Sequence, residues 1–500
     1  MSVEETIEGA DGGADGTALL RTAVRWDYAP APEATDHIRI ADRYDLFIDG
    51  AFVQPRDGSV RSTINPATEE TLAEVACAQD ADIALAVAAA RAAAPRWAAL
   101  PALERGKYLF RIARLIQERA RELAIVESLD GGKPIREARD IDIPLAAAHF
   151  FYYAGWADKL AHVTAGRTAR PRGVCAQIVP WNFPLLMAAW KLAPALACGN
   201  VAILKPAETT PLTALLLAEI CQEAELPAGV VAVLPGDGAT GAALVRHPGV
   251  EKIAFTGSTA VGKDIQAAIA GRDVGLTLEL GGKSANIVFE DASIDQAVEG
   301  IVSGIFFNQG HVCCAGSRLL VQESVAEEVV EKLWARMQRL RIGDPLDKNT
   351  DIGAINSAEQ LARIQALVEE GEREGAQRRT LPGPLPERGY WFAPTLFTDV
   401  APAHRIAVEE IFGPVLSVLT FRTQAEAIEK ANATVYGLAA GVWTDKGAKA
   451  FEVASALRSG VVWQNTYNHF DPTAAFGGYR ESGFGREGGP AGLRPYLSLS

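Results

Sequence analysis

Between residues 201 and 270 short apolar runs alternate with longer stretches of helical periodicity, and this alternation limits the possible folds more than any other feature. The predicted elements are strands at 201–204, 230–234 and 252–255 and helices at 212–224, 239–245 and 260–270. Strands joined by crossover helices form a parallel sheet with helices on its faces. We therefore predict a doubly wound α/β domain, which binds its ligand beyond the carboxyl ends of its strands.

The regions that flank this segment extend the α/β pattern. Residues 46–53 hold two short apolar runs around an Asp-Gly pair, which predicts a β-hairpin. Helical spacing predicts helices over 80–99 and 103–129. A second series of strands and helices runs from Gly282 to about residue 480. Residues 1–40 are rich in Gly, Ala, Pro and Asp, so we expect a flexible or surface-wrapped arm there.

Charge and composition exclude several classes of protein. The chain of 500 residues has 48 basic and 62 acidic side chains, a net charge of −14, which argues against nucleic acid or an anionic membrane as partner. The N-terminus has neither a basic nor an apolar stretch of the kind found in signal peptides, and no run of 18 apolar residues predicts a membrane span. The six cysteines are scattered and suit a reducing compartment, so we expect a cytoplasmic protein.

Three segments have features of a phosphate or ribose site. Gly236–Gly241 has the spacing GxGxxG, but the next strand ends without the acidic residue that a dinucleotide fingerprint requires, so a tight turn is the simpler interpretation. Lys205–Glu208 follows a strand, and its lysine and carboxylate could hold a ribose diol. Phe255–Ser258 joins a strand to a helix, whose free N–H groups suit a phosphate. Each of the last two could also be an ordinary surface pair or helix cap.

Seven segments in one order resemble the aldehyde dehydrogenase superfamily over roughly residues 44–495. They are VPWNFP at 179–184, KPAE at 205–208, FTGS at 255–258, LELGGK at 278–283, FNQGHVCCAG at 307–316, EIFGP at 410–414 and FGGY at 476–479. The resemblance implies a doubly wound cofactor-binding domain (41–152 and 172–281), a second α/β catalytic domain (282–482) and a small oligomerisation hairpin (153–171 and 483–500). It also implies a homodimer. The C-terminal stretch 492–500 is shorter than in similar enzymes, which puts in doubt the sheet extension on which their tetramers are built.

The resemblance assigns five residues to the chemistry of aldehyde oxidation. Cys313 matches the nucleophile, and a thiolate suits this step because it turns a planar carbonyl into a tetrahedral hydride donor. Asn182 matches the side-chain donor to the oxyanion, with the backbone N–H of Cys313 as the second donor. Glu279 matches the general base for thioester hydrolysis, and burial would raise its pKa toward neutrality. Lys191 and Glu487 match members of a proton exit path.

The cofactor implied by the resemblance is NAD, with NADP as the alternative. A carboxylate at position 208 repels a 2′-phosphate and therefore favours NAD. The residues expected to bind the cofactor are Val179, Pro180, Trp181, Lys205, Pro206, Ala207, Glu208, Gly238, Phe255, Thr256, Gly257, Ser258, Leu280, Gly281, Gln360, Glu410 and Phe412.

The resemblance also implies an aromatic tunnel that leads a small aldehyde to the thiol. Its expected walls are Phe183, Trp190, Phe307, Phe470 and Phe476. An apolar inner end suits aliphatic or aromatic aldehydes. The stretch 468–472, which includes His469, departs from the commonest family pattern, so a sugar-derived or hydroxylated aldehyde stays open as substrate.

Alternative assignments fit the sequence less well. Cys314 lies one position past the family's nucleophile, and His311 is too close in sequence to Cys313 to meet it squarely. A zinc site at these residues lacks a fourth ligand, and no metal is expected. Glu279 argues against a variant that transfers the acyl group to CoA. The three matched chemical residues argue against a non-catalytic scaffold that only binds NAD.

Overall fold

The computed structural model describes residues 29–499, so most of the expected N-terminal arm lies outside the described residues. Its largest sheet has eight strands. Across the sheet they are Gly483–Phe484, Gly275–Glu279, Lys252–Thr256, Val174–Ile178, Val201–Lys205, Val231–Val233, Leu46–Ile48 and Ala51–Val53. The five strands from Gly275–Glu279 to Val231–Val233 are parallel, and the outer three run antiparallel to their neighbours. The predicted hairpin and parallel strands are confirmed.

The strand order of this sheet creates a crevice. The chain moves outward from Val174–Ile178 through the next two strands, then returns to add Lys252–Thr256 and Gly275–Glu279 on the other side. The reversal lies between Val174–Ile178 and Lys252–Thr256, so the loops that follow these two strands diverge. Both strands are buried on both faces, which explains their continuous apolar sequences. The fold is therefore the doubly wound α/β architecture that the sequence predicts.

A second sheet of seven strands forms from the later part of the chain. Across the sheet its strands are Gln377–Thr380, Thr395–Thr398, Val415–Phe421, Arg318–Gln322, Ala285–Val288, Ala439–Trp443 and Val461–Gln464. All of its pairs are parallel except the first. A three-stranded sheet contains Arg43–Tyr44, Thr71–Ala76 and Val60–Ile64, and Leu497–Leu499 pairs with Ala169–Pro171 in a two-stranded sheet.

Helices cover the faces of both large sheets. The α-helices are Asp80–Ala99, Ala102–Glu118, Ala120–Gly131, Ile135–Glu137, Ile143–Ala154, Leu160–Val163, Pro184–Ala197, Leu212–Glu223, Gly238–Arg246, Thr259–Ala268, Ile294–Phe306, Ala326–Met337, Ala358–Arg373, Arg405–Val408, Gln424–Asn432 and Gly447–Ala456. A π-helix spans Ala138–Asp142, and 3₁₀ turns span Phe307–Gly310, Glu323–Val325, Arg480–Ser482 and Pro490–Tyr496.

One predicted helix is wrong in its extent. The segment 103–129 forms two helices that meet at Arg119, whose backbone leaves the helical region with φ −96° and ψ 14°. The Arg119 guanidinium pairs with Glu122, Glu219 and Glu223 at 2.7–2.9 Å. Local spacing could not reveal this break, because two of these partners lie about a hundred residues away.

Among residues 29–499 no single helix is both long and apolar enough to cross a membrane. One pair, Asp80–Ala99 with Ala102–Glu118, passes that test jointly by length and composition, but it is bent by 118° at the break.

Residues 29–40 wrap over the surface rather than projecting from it. The Glu33 backbone N–H donates to the Leu346 carbonyl at 2.8 Å. The Glu33 carboxylate is buried and pairs with Arg121 and, at 3.2 Å, with Lys348. Burial raises the pKa of Glu33, but the hydrogen bonds from these two cations outweigh it and hold the pKa below its ordinary value of 4.5.

We expect Glu33→Gln to lower the free energy of unfolding by about 1 kcal/mol at neutral pH, since it removes two partly exposed ion pairs. A carboxyl with a lowered folded-state pKa stabilises fully above its ordinary pKa and loses that effect as the pH falls through the folded value. Urea unfolding at neutral and at acidic pH measures the difference between variant and wild type. A difference that persists unchanged below the folded-state pKa would contradict the prediction.

Candidate active site

A cavity of about 190 Å³ opens at the crevice between the diverging loops. Its walls come from both large sheets and from the helix region near residue 141. Nineteen of the residues predicted from sequence line it: Pro180, Trp181, Asn182, Phe183, Trp190, Thr256, Gly257, Ser258, Glu279, Leu280, Gly281, Phe307, Cys313, Gln360, Glu410, Phe412, Phe470, Phe476 and Glu487.

Three chemically distinct side chains converge on this cavity from distant parts of the chain. Asn182 lies in the loop between the strand Val174–Ile178 and the helix Pro184–Ala197. Glu279 is the last residue of its strand, and Cys313 lies in the loop before Arg318–Gln322. A thiol, an amide and a carboxyl thus share one cavity.

The Cys313 thiol is protonated at rest. A hydrogen bond with the neighbouring Cys314 and burial raise the pKa of Cys313 well above its ordinary value. Because the thiolate is the nucleophilic form, a group in the cavity must take the proton as the thiol reacts. Cys314 is buried, and its sulfur lies 3.6 Å from the Asn468 side-chain oxygen.

Asn182 is held by hydrogen bonds to both its backbone carbonyl and its side-chain amide. Its Nδ2 donates to the His311 carbonyl at 2.7 Å, and the Asn308 Nδ2 donates to the Asn182 carbonyl at 2.8 Å. An amide nitrogen has two N–H bonds, so one stays available for a ligand. The amide is therefore oriented for an oxygen placed beside Cys313.

The His311 side chain does not line the cavity that holds the thiol. Its ring is buried, with its centroid 4.8 Å from that of Trp181 and 5.9 Å from that of Phe412. Burial lowers the pKa of His311 to about 3, so the ring is neutral and acts as packing. Among the described residues no group of three or more His, Cys, Asp or Glu is arranged to hold a metal ion.

Glu279 is a buried carboxyl without a partner. Only 4% of the residue is exposed, and neither carboxyl oxygen has a hydrogen bond to any residue within 29–499. Burial and the nearby Glu487 raise the pKa of Glu279 well above its ordinary value, although Lys191 opposes the shift. Gly477 makes room for this carboxyl, because a Cβ there would lie 2.7 Å from Oε1. An unpaired buried carboxyl is costly, which is typical of a functional group.

Lys191 and Glu487 form a buried ion pair behind Glu279. Lys191 does not line the cavity, whereas Glu487 does, and the second oxygen of Glu487 has no partner. The backbones of Phe476 and Glu487 exchange hydrogen bonds of 2.7 and 2.8 Å. The pair thus connects the carboxyl cluster to the interior of the helix Pro184–Ala197.

Aromatic rings form one wall of the cavity. The centroid of Trp190 lies 5.4 Å from that of Phe476 and 6.3 Å from that of Phe470, and the rings of Phe183 and Phe307 stack at 6.1 Å. Sequence spacing could not have located this wall, because its rings come from three separate regions of the chain. His469 is exposed and does not line the cavity.

The opposite side of the cavity carries groups that fit a polar ligand. The Thr256 hydroxyl is buried without a partner, at the end of the strand that leads into the ten-residue helix Thr259–Ala268. The Glu410 carboxylate accepts from the Gly282 N–H at 3.0 Å, and a Cβ at Gly281 would lie 2.1 Å from it. Burial raises the pKa of Glu410 to about 7.

Gln360 supports a loop of the cavity as well as lining it. Its Nε2 donates to the carbonyls of Ile411 and Phe412 at 3.1 and 2.8 Å. Phe412 has a positive φ of 56°, a strained backbone conformation for a non-glycine residue. These bonds therefore hold the Phe412 ring in position over the cavity.

Lys205 and Glu208 lie beyond the cavity at the end of the adjacent strand. Their side chains approach to 3.4 Å, and burial lowers the pKa of Lys205. The Val179 N–H donates to the Lys205 carbonyl at 3.1 Å, which joins this end to the cavity loop. The remaining predicted residues outside the cavity lining are Pro206, Ala207, Gly238 and Phe255.

The GxGxxG segment is a capped turn. The Asp237 carboxylate accepts from the N–H groups of Ala239 and Thr240 at 2.8 and 3.2 Å. These two N–H groups are therefore already hydrogen-bonded to Asp237 and are not free to donate to a pyrophosphate. Gly238 begins the helix, and a Cβ there would meet nothing within 4 Å.

Several residues of the cavity were missed by sequence reasoning. They are Ile141, Asp142, Leu145, Leu186, Met187, Val312, Cys314 and Arg363. Leu186 and Met187 precede Trp190 by four and three positions on one helix, so helical spacing carried a signal for them. Nothing in the sequence indicated Ile141 or Leu145, because their helix reaches the cavity only through tertiary packing.

Comparisons with known proteins agree with this geometry. A family model described as "Aldehyde dehydrogenase family" matches residues 52–500. A putative aldehyde dehydrogenase, DhaS of Bacillus subtilis, is 46% identical over 466 residues, covering 91% of this chain and 94% of its own. Retinal dehydrogenase 2 of Homo sapiens is 46% identical over 468 residues, covering 91% and 90%.

A solved structure extends the likeness to three dimensions. An aldehyde dehydrogenase of Bacillus cereus, solved as an NAD⁺ complex, has a TM-score of 0.89 and is 43% identical, covering 92% of this chain and 96% of its own. The match of the family model over most of the chain, together with these identities, establishes that the chain belongs to the aldehyde dehydrogenase family.

Proposed function

We propose that the chain oxidises a small-molecule aldehyde to a carboxylic acid with NAD⁺, through a thioester on Cys313. The observation that carries the proposal is the convergence of Cys313, Asn182 and Glu279 on one cavity. Release of NADH across a panel of aliphatic, aromatic and hydroxylated aldehydes tests it. A protein that binds NAD⁺ yet yields no NADH with the whole panel would overturn it.

In the first step the Cys313 sulfur attacks the carbonyl carbon of the aldehyde. The free N–H of Asn182 donates to the oxygen as it becomes negative, and one such donor is worth roughly 3–4 kcal/mol. Because the pKa of Cys313 is raised, its proton must leave during the attack. The Glu279 carboxylate lines the same cavity and can accept it, directly or through one water.

Bound NAD⁺ would supply the hydride acceptor, and loss of a hydride from the tetrahedral carbon leaves a thioester on Cys313. Once Glu279 has passed on the thiol proton, it removes a proton from the water that attacks the thioester. Its raised pKa makes the carboxylate a stronger base than an exposed one. The ion pair of Lys191 with Glu487 gives the proton a path away from the cavity.

The residues around the cavity fit NAD⁺. We assign the adenosine ribose to Lys205 and Glu208, and the phosphates to the N-terminus of Thr259–Ala268 with the partnerless Thr256 hydroxyl. Glu410 and Phe412 would hold the nicotinamide ribose and ring. On this proposal residues 41–152 and 172–281 bind the cofactor, and 282–482 supply the thiol.

The substrate we propose is an apolar aliphatic or aromatic aldehyde. Rings and aliphatic side chains make up about half of the residues that line the cavity, beside the carboxyls of Glu279, Glu410 and Glu487. Such a wall stabilises apolar chains by excluding water from them. His469, the residue that left a hydroxylated substrate open, lies away from the lining.

We further propose a cytoplasmic homodimer. The exposed apolar residues Val261, Tyr479 and Phe484 lie on neighbouring elements, because Thr259 and Lys263 of one helix bond to Glu481 at 3.2 and 3.0 Å. Exposed apolar groups of this kind are typical of an interface. Sedimentation equilibrium that gives only the mass of one chain would contradict a dimer.

Cys313→Ala is expected to reduce aldehyde oxidation to background and to leave NAD⁺ binding intact, because it removes only the nucleophile. Steady-state NADH release and cofactor titration measure the two effects. The matched control is Cys314→Ala, which keeps the nucleophile and removes a hydrogen bond that raises its pKa. This control should oxidise aldehydes and react faster with iodoacetamide at neutral pH. Activity in Cys313→Ala would exclude this thiol as nucleophile.

Glu279→Gln should slow thioester hydrolysis by about 10²–10⁴-fold, the usual contribution of a general base. Hydroxide can still take the proton of Cys313, so attack and hydride loss should slow less than hydrolysis. We therefore expect a burst of NADH, followed by a trapped acyl-enzyme that mass spectrometry detects on Cys313. In the wild type, hydrolysis should rise with pH as Glu279 loses its proton, since only the carboxylate is a base. Wild-type turnover in the variant would rule Glu279 out.

Glu208→Ser should improve the ratio of kcat/KM for NADP⁺ over NAD⁺ by about tenfold, equivalent to ~1.4 kcal/mol, by removing the repulsion of a 2′-phosphate. Glu208→Asp is the control, because it keeps the charge and should keep the preference for NAD⁺. Equal cofactor ratios in wild type and Glu208→Ser would show that the adenosine ribose lies elsewhere.

A further inference from the structure

The turn that precedes Cys313 has an unfavourable backbone conformation. Asn308 has φ 48° and ψ 43°, Gln309 has φ 52° and ψ 27°, and Gly310 has φ 74°. Left-handed conformations are unfavourable for non-glycine residues, and more so for Gln309 than for Asn308. Two such residues in succession therefore require contacts that over-determine the turn.

A buried carboxyl from another helix supplies one of these contacts. Glu137 Oε2 accepts from the Asn308 N–H at 2.8 Å, and both residues are buried. Asn308 in turn donates its side-chain amide to the Asn182 carbonyl at 2.8 Å. Glu137 thus holds one of the two residues near Cys313 that hydrogen-bond to the proposed oxyanion donor.

The same buried region also contacts the segment that contains Asn182. Lys133 pairs with Glu127 at 3.3 Å and with Asp142 at 2.5 Å, and the exposed fractions of these side chains are 1% or less. Glu127 Oε2 accepts from the Leu185 N–H at 3.3 Å, at the start of the helix that follows Asn182. The Lys133 ammonium lies 4.5 Å from the centre of the Phe183 ring.

These contacts describe one layer beneath the cavity, which we call the Lys133 layer: Glu127, Lys133, Glu137 and Asp142. It touches the segment 182–185 through Glu127 and the turn 308–310 through Glu137. Two carboxyls pair with the Lys133 ammonium, and the charge of that ammonium also acts on the third carboxyl, Glu137. Burying all four groups is costly. A layer needed only for packing would be more stable with apolar side chains of the same volume.

We propose that Glu137 is a positioning residue, which fixes the left-handed turn so that the Asn182 amide and the Cys313 thiol face the same carbonyl group. Glu127 secures the same alignment from the helix side. This inference rests on the proposed function, because it assigns Asn182 to the oxyanion. Neither carboxyl touches the substrate, so each acts only through the segments that it holds.

Glu137→Met tests the proposal, because it keeps the volume but cannot accept the Asn308 N–H. We expect the rate of the NADH burst to fall at least tenfold while the affinity for NAD⁺ stays the same. Glu137→Gln keeps an acceptor oxygen and should restore the burst to within about threefold of wild type. An unimpaired burst in Glu137→Met, or equal losses in both variants, would overturn the proposal.

A double-mutant cycle separates positioning from general damage to the protein. In an Asn182→Ala background, Glu137→Met should cost at least threefold less than in the wild-type background, since one of the two groups that it aligns is already absent. Equal losses in both backgrounds would contradict the inference. If Asn182→Ala alone leaves the burst unchanged, the proposed oxyanion donor fails. If it impairs the burst while Glu137→Met does not, only the present inference fails.

Alkylation of Cys313 by iodoacetamide gives a readout that does not require catalysis. We expect the rate in Glu137→Met to change at least fivefold, because the turn before the thiol is released. Glu33→Gln loses a buried carboxylate far from the site and should alkylate at the wild-type rate. Glu127→Met is the second variant, and it should reproduce the loss of burst rate if Glu137→Met does not fold. An unchanged burst in that variant would overturn the proposal.

Discussion

Two hydrogen bonds between Asn182 and the turn before Cys313 join the two α/β units at the point where the chemistry is proposed. Asn182 donates its amide to the His311 carbonyl and accepts from the Asn308 amide through its own carbonyl, at 2.7 and 2.8 Å. Asn182 follows a strand of the eight-stranded sheet, and the turn precedes a strand of the seven-stranded sheet. The orientation of the amide and the thiol therefore depends on both sheets at once, and on the buried layer that supports the turn.

Burial gives the site its chemical character. Cys313, Glu279 and Glu410 all have pKa values raised by their surroundings, in a cavity with few partners for them. The ionised form of each group would be more stable in water, so burying these groups lowers the free energy of unfolding. A protonated thiol beside a strongly basic carboxyl is suited to a proton transfer that occurs only when an aldehyde arrives.

The two glycine-containing motifs differ in how well they locate a ligand-binding loop. The GxGxxG spacing predicts a phosphate loop by pattern, yet the intervening Asp237 already bonds the N–H groups that a phosphate would need. The Phe255–Ser258 segment has a less distinctive pattern, but it lies at the reversal of strand order and contains the Thr256 hydroxyl, which has no hydrogen-bond partner among the described residues. Position in the sheet, more than glycine spacing, determines which loop can take a ligand.

The sequence by itself determined the doubly wound α/β architecture, because strand and helix periodicities are local properties that need no distant partner. It also predicted Cys313, Asn182 and Glu279 as the chemical residues, through motifs whose order resembles a known family, and all three line one cavity. Only the tertiary structure decided the break at Arg119, the capping by Asp237, the wall near Ile141 and the layer around Lys133. Each of these depends on side chains that are far apart in the chain, and local patterns carry no information about which distant residues will meet.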